Sequence, residues 1–119
     1  MHERLSPEEY SAVLSGVIGD PCLKTQHLLS GSKWQRQPDQ TIQVWHQMRV
    51  AHQRYTDESW TEVANKGHGH GVVQHGYRKI DGVWKLELVV PSLHWSEYDL
   101  FGTLNPKEGP ELTNNGLEQ

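Results

Sequence analysis

Thr41-Ile42-Gln43-Val44-Trp45-His46-Gln47-Met48-Arg49-Val50-Ala51-His52-Gln53-Arg54-Tyr55 runs without a glycine or proline and alternates with a period of two. As a strand it places Ile42, Val44, His46, Met48, Val50 and His52 on one face. Gln43, Trp45, Gln47, Arg49, Ala51 and Gln53 fall on the other. His52 therefore stands at the end of an apolar stripe.

C-terminal to this strand, a second one is expected from about Trp60 to Ile80. Its alternation sets Gly67, Gly69, Gly71, Val73, His75 and Tyr77 opposite His68, His70, Val72 and Gln74. The glycines suggest a bulge, a bend, or close approach by a ligand or another chain segment. Asp81-Gly82 reads as a type I′ hairpin turn into a strand from Val83 to Val90, which Pro91 should end. Ser92 to about Leu104 reads as an apolar, lid-like segment, and the tail 105–119 as disordered.

N-terminal to the central strand, Ser6, Pro7 and Glu9 form a helix start with a capping box. The helix should run from Pro7 to about Ser15, with Tyr10, Val13, Leu14 and Val17 as its apolar stripe and Gly16 as its stop. From Leu23 the pattern is strand-like, with turns expected at Ser30-Gly31-Ser32 and Gln37-Pro38-Asp39-Gln40. The fold class is α+β: one helix, several long antiparallel strands in a curved sheet, and an apolar C-terminal segment, in one domain over 1–104.

The chain has 119 residues, 22% of them charged, a formal net charge of -4, and a pI of about 6.0. No basic field exists to hold phosphate backbones, so a nucleic-acid partner is not expected. No apolar run approaches the roughly 18 residues of a bilayer span, and Met1-His2-Glu3-Arg4 lacks the order of a signal peptide. These features point to a soluble, intracellular protein; its expected setting is the cytoplasm, with an endosomal one as the lesser alternative. Its single cysteine, Cys22, excludes an internal disulfide framework and reads as a reduced thiol.

Chemistry near neutral pH then falls to the eight histidines. His68-Gly69-His70 with His75 nearby suggests a metal site, but the alternation puts His75 on the opposite face and no carboxylate occupies the expected spacing. A metal site is therefore the minor reading of these histidines. His2, His46, His68, His75 and His94, taken singly, read as surface or hydrogen-bonded residues. His27 and His52 stand apart through the words they sit in.

Those words are Gly19-Asp20-Pro21, Thr25-Gln26-His27, Val50-Ala51-His52-Gln53-Arg54-Tyr55, Lys66-Gly67-His68 and Lys79-Ile80-Asp81-Gly82-Val83-Trp84-Lys85, with Pro91, Trp95, Glu97 and Asp99 beyond. Over about Ser6 to Leu104 the chain resembles the scytalone dehydratase family of fungal melanin biosynthesis. The resemblance implies a cone-shaped α+β barrel of the nuclear transport factor 2-like kind, enclosing an apolar pocket, and assembly as a homotrimer. It implies a cofactor-independent hydro-lyase that eliminates water from a hydroxylated tetralone. By the same resemblance His27 is the principal proton acceptor and donor, and His52 helps to protonate the leaving hydroxyl.

Substrate-binding positions carried over in this way are Val17, Gly71, Val73, Pro91, Leu93, Leu100 and Leu104. At two of them the chain departs from the family, which has a serine where Gly71 stands and a substrate-contacting asparagine where Val73 stands. An apolar, roomier wall is expected there, and with it a different polyketide, such as an anthraquinone-type precursor. The chain also begins after the family's two ketone-polarising tyrosines and an aspartate that pairs with a catalytic histidine, which would leave a sheet edge and an apolar face uncovered. A catalytically degenerate paralogue that binds small molecules or serves assembly is the alternative reading.

Overall fold

The computed structural model describes residues 5–105. Helix α1 (Pro7–Ile18) leads into four strands, β1 (Leu23–Arg36), β2 (Thr41–Tyr55), β3 (Val63–Ile80) and β4 (Val83–Tyr98), and a short helix α2 (Leu100–Leu104) follows. The strands form one curved antiparallel sheet in the order β1-β2-β3-β4, an α+β arrangement. Among the described residues no helix is long and apolar enough to cross a membrane. The tail expected to be disordered lies, from residue 106 on, outside the described residues. Asn105 itself closes α2, its N–H donating to Phe101 O at 2.8 Å.

The central strand falls where its alternation puts it. Val44, Val50, His52 and Arg54, all on one face, are buried. With Val73, Val89, Leu23 and Leu100 they form the core of the covered face. The hairpin at Asp81-Gly82 forms with φ of 51° and 78°, positive at both central residues as a type I′ turn requires.

Several expectations change at the edges of the sheet. Ser30-Gly31-Ser32 does not end a strand. It is a bulge inside β1, with Gly31 at φ 59° and a register shift between Ser30 and Lys33. Pro91 does not end β4 either, and pairs with Val73. The strand is an edge strand, where a missing N–H need cost no ladder bond. Ser92 to Tyr98 is accordingly sheet rather than lid, and only Leu100–Leu104 leaves it. β3 begins at Val63, three positions after the expected Trp60, which adopts φ 56° in the preceding loop.

Helix α1 starts with the expected capping box: Glu9 N–H donates to Ser6 Oγ at 3.2 Å, and Ser6 N–H to Glu9 Oε2 at 2.8 Å. It passes through Gly16 and stops at Gly19. Gly16 keeps helical geometry with open space around it, so nothing there forces an end. The helix packs on β4 and β1, with Tyr10, Leu14 and Val17 half-buried and Val13 exposed.

The glycines of β3 seat α2. A Cβ on Gly67 would overlap the backbone of Leu100, and one on Gly69 would meet Leu93 Cδ1 at 2.8 Å and Val50 Cγ2 at 2.9 Å. Asp99 fixes the same junction: its N–H donates to Lys66 O at 3.1 Å, and its carboxylate accepts from Gly102 N–H at 3.0 Å. Gly67→Ala must push α2 off the sheet and should cost about 1–3 kcal/mol in denaturant unfolding. Gly16→Ala, in an open helix interior, should instead stabilise the protein by up to about 1 kcal/mol.

Candidate active site

Antiparallel pairing of β1 with β2 sets Thr25 across from His52 and His27 across from Val50. His27 and His52 therefore lie on one face, on a diagonal between neighbouring strands. Their rings meet edge to face with centroids 5.8 Å apart. His52 is 4% exposed, whereas His27, on the edge strand, is open to solvent. His52 Nδ1 lies 2.8 Å from Thr25 Oγ1.

Burial, and then the neighbouring His27 and His68, push the His52 pKa down to about 4. Partial burial also holds His27 below its ordinary value of 6.5. Taking an imidazole out of water disfavours its cation, and a second cation beside it adds to the penalty. Both rings are therefore neutral at neutral pH, with lone pairs able to take a proton.

The wall beside them is apolar. Gly67 pairs with His52 and Gly69 with Val50. Side chains of Leu93, Leu100 and Val50 converge over Gly69. Val73, 2% exposed, lies further along the same face and is paired with Pro91. Val17 and Leu104 line a neighbouring open groove of about 630 Å³ with Asp20, Cys22 and Arg54. Of the nine carried-over site residues, the structure thus gathers His27, His52, Leu93 and Leu100, with Val73 and Pro91 beyond and Val17 and Leu104 alongside.

Gly71 departs from the expectation of a roomier wall. It follows a bulge between His70 and Gly71, and the backbone carbonyl of Ser92 fills the place a Cβ would take. Removing a side chain there opens no space, because the edge strand closes over it.

The opposite sheet face carries His68 and His70, and His75 is turned away from them as the alternation requires. The register of β3 with β4 does bring a carboxylate to the pair, contrary to the reading from spacing. His70 Nε2 is 2.6 Å from Glu97 Oε1, and the His70 ring stacks on Trp95 at 3.7 Å. Arg49 Nη2 lies 3.4 Å from His68 Nδ1, placing a cation against the pair. Among the described residues no three histidine, cysteine or acidic side chains converge as metal ligands.

Two residues of the site were passed over in the sequence. Alternation puts Thr25 on the strand face of His27, but only the register of β1 with β2 brings it to His52. Arg54 continues the stripe of His52, and its buried guanidinium donates from Nη1 to Asp20 Oδ2 and from Nε to Thr103 O, both at 2.7 Å. No local pattern announces a buried arginine.

The depressed His52 pKa ties stability to pH. Between the ordinary value of 6.5 and about 4 the unfolded chain binds a proton at His52 that the folded one refuses. Stability is therefore full above this window and declines as pH falls through it. His52→Gln should flatten that part of the curve when urea midpoints are compared across it, and an unaltered curve would contradict the shift.

The chain matches the family model described as scytalone dehydratase over residues 1–107. It is 50% identical over 99 residues to "Scytalone dehydratase" of Colletotrichum orbiculare, covering 82% of this chain and 53% of that protein. It is 42% identical over 117 residues to "Scytalone dehydratase-like protein mdpB" of Emericella nidulans, covering 97% of this chain and 53% of that one. It is also 45% identical over 99 residues to "Dehydratase AgnL8" of Paecilomyces divaricatus, covering 82% and 57%. The chain spans about half the length of the curated relatives it matches. With its two histidines side by side on the covered face of a four-stranded meander, the chain belongs to the scytalone dehydratase family.

Proposed function

We propose that the protein is a cofactor-independent hydro-lyase that eliminates water from a hydroxylated polyketide in fungal pigment or secondary metabolism. The observation that carries this reading is the pair of neutral imidazoles, His27 and His52, 5.8 Å apart beside an apolar wall. Relatives named as dehydratases support it.

In this reading a lone pair of His27 takes the proton from the carbon next to the substrate ketone. The electrons of that C–H bond form the enolate, and the carbon–oxygen bond to the β-hydroxyl then breaks. The leaving oxygen takes a proton, returned by the His27 imidazolium with His52 assisting, and departs as water. No electron is lost and nothing but water is released. Positioned acid–base groups of this kind contribute about 10²- to 10⁴-fold.

The substrate class follows from Val73. A buried valine offers no hydrogen bond where the resemblance places an asparagine, which favours a tetralone or anthraquinone-type precursor with less hydroxylation on that side. Gly71 adds nothing to this argument. The reading extends to the nuclear transport factor 2-like cone, a homotrimer and an intracellular, cytoplasmic or endosomal setting. Exposed Leu28, Leu29 and Trp34 on β1 suit a strand that other chain segments cover.

His27→Ala and His52→Ala should each lower turnover of scytalone at least about a hundredfold, read as ultraviolet appearance of the aromatic product, with unchanged circular dichroism. Near-normal rates in both variants would overturn the assignment. A folded wild type that leaves scytalone untouched would shift it to another polyketide or to the binding role.

A further inference from the structure

We propose that Thr25 is a positioning residue that holds His52 as its Nε2–H tautomer, so that the ring presents an N–H donor to a substrate oxygen. The tautomer lock rests on the geometry of β1 and β2. Its catalytic use rests on the reaction proposed above.

Thr25 and His52 are direct cross-strand partners, and side chains so placed are near enough to bond. The Oγ1 to Nδ1 distance of 2.8 Å is that of a well-made hydrogen bond. Among the described residues, His52 is the one hydrogen-bond partner of the Thr25 hydroxyl. That hydroxyl has a single proton, and an acceptor must be found for it or a hydrogen bond is lost in a half-buried place. Donation to Nδ1 satisfies it. A neutral imidazole carries one N–H, so a lone pair at Nδ1 puts the proton on Nε2.

Threonine suits this task because its β-branch limits χ1 in a strand. The hydroxyl therefore stays aimed along the strand pair instead of turning away. On the β3 side, Gly67 pairs with His52, and the Leu100 backbone fills the space that this glycine leaves.

A neutral imidazole kept as a donor stabilises negative charge developing on oxygen without needing to be a cation. That separates the two histidines by role. Exposed His27 exchanges protons, while His52 holds one and points it.

The charged and titratable groups around His52 are consistent with this. His27 faces it from β1 and His68 lies nearby on β3. On β2 itself, Arg54 is neutralised by Asp20 from the loop after α1. Asp99, at the start of α2, is engaged by Asn65 and Gly102. No carboxylate among these bonds His52.

The test is nitrogen-15 spectroscopy of the histidine rings in the whole chain at neutral pH, on wild type, Thr25→Val and Thr25→Ser, alongside scytalone kinetics. Wild type and Thr25→Ser should show His52 with a protonated Nε2 and a bare Nδ1, whereas Thr25→Val should show a tautomer mixture. The kcat of Thr25→Val should fall about tenfold or more with KM within about twofold, and Thr25→Ser should stay within about threefold of wild type. His52 protonated at Nδ1 in the wild type, or an unchanged ring in a folded Thr25→Val, would overturn the lock. A tautomer change with full activity would overturn its catalytic use. A lock that Thr25→Val breaks, in a wild type that turns over no scytalone, would support the positioning and count against the proposed reaction.

Discussion

The guanidinium of Arg54 ties together the parts of this protein that alternation along the sheet does not. It is buried at the end of β2, on the same face as His52 and two residues further on. One nitrogen reaches Asp20 in the loop after α1, and another reaches the carbonyl of Thr103 in α2. A buried cation with two fixed partners is a demanding feature, because losing either leaves charge without compensation. It joins three segments far apart in sequence at a single point. Both helices are thereby held at the edge of the face that carries the histidines.

From that anchor the character of His52 follows. α2 can sit close only because β3 offers Gly67 and Gly69, and its closeness helps to take the ring out of water. Desolvation then lowers the pKa, and the neighbouring histidines lower it further. His27 comes from the same face but from the edge strand, so it keeps access to solvent. Packing thus gives two residues of one type unequal exposure, with the stronger pKa depression at the buried one.

What could be read in the sequence was what local rules decide. The period of β2, the capping box at Ser6 and Glu9, and the Asp81-Gly82 hairpin each depend on a few neighbouring residues. Gly16, Gly31 and Pro91 depart from their local rules because punctuation residues act through context. Gly16 lies in a helix with room around it, and Gly31 and Pro91 lie on edge strands that tolerate a bulge or a missing donor. His52 was visible as the end of a stripe, and His27 through the words shared with a family. The hydroxyl partner of His52 was not, since register between β1 and β2 depends on a turn and on the bulge at Gly31. Nor was the carboxylate beside His70, which arrives from β4 across a register shift.

Whether chemistry occurs on the face shared by His27 and His52 can be read from a crystal structure of the chain soaked with a hydroxynaphthalene product. The ring system should lie against Leu93 and Leu100, with one oxygen within hydrogen-bond distance of His52 Nε2 and a ring edge beside His27. Product bound instead on the opposite face, against Trp95 and the His70–Glu97 pair, would contradict it.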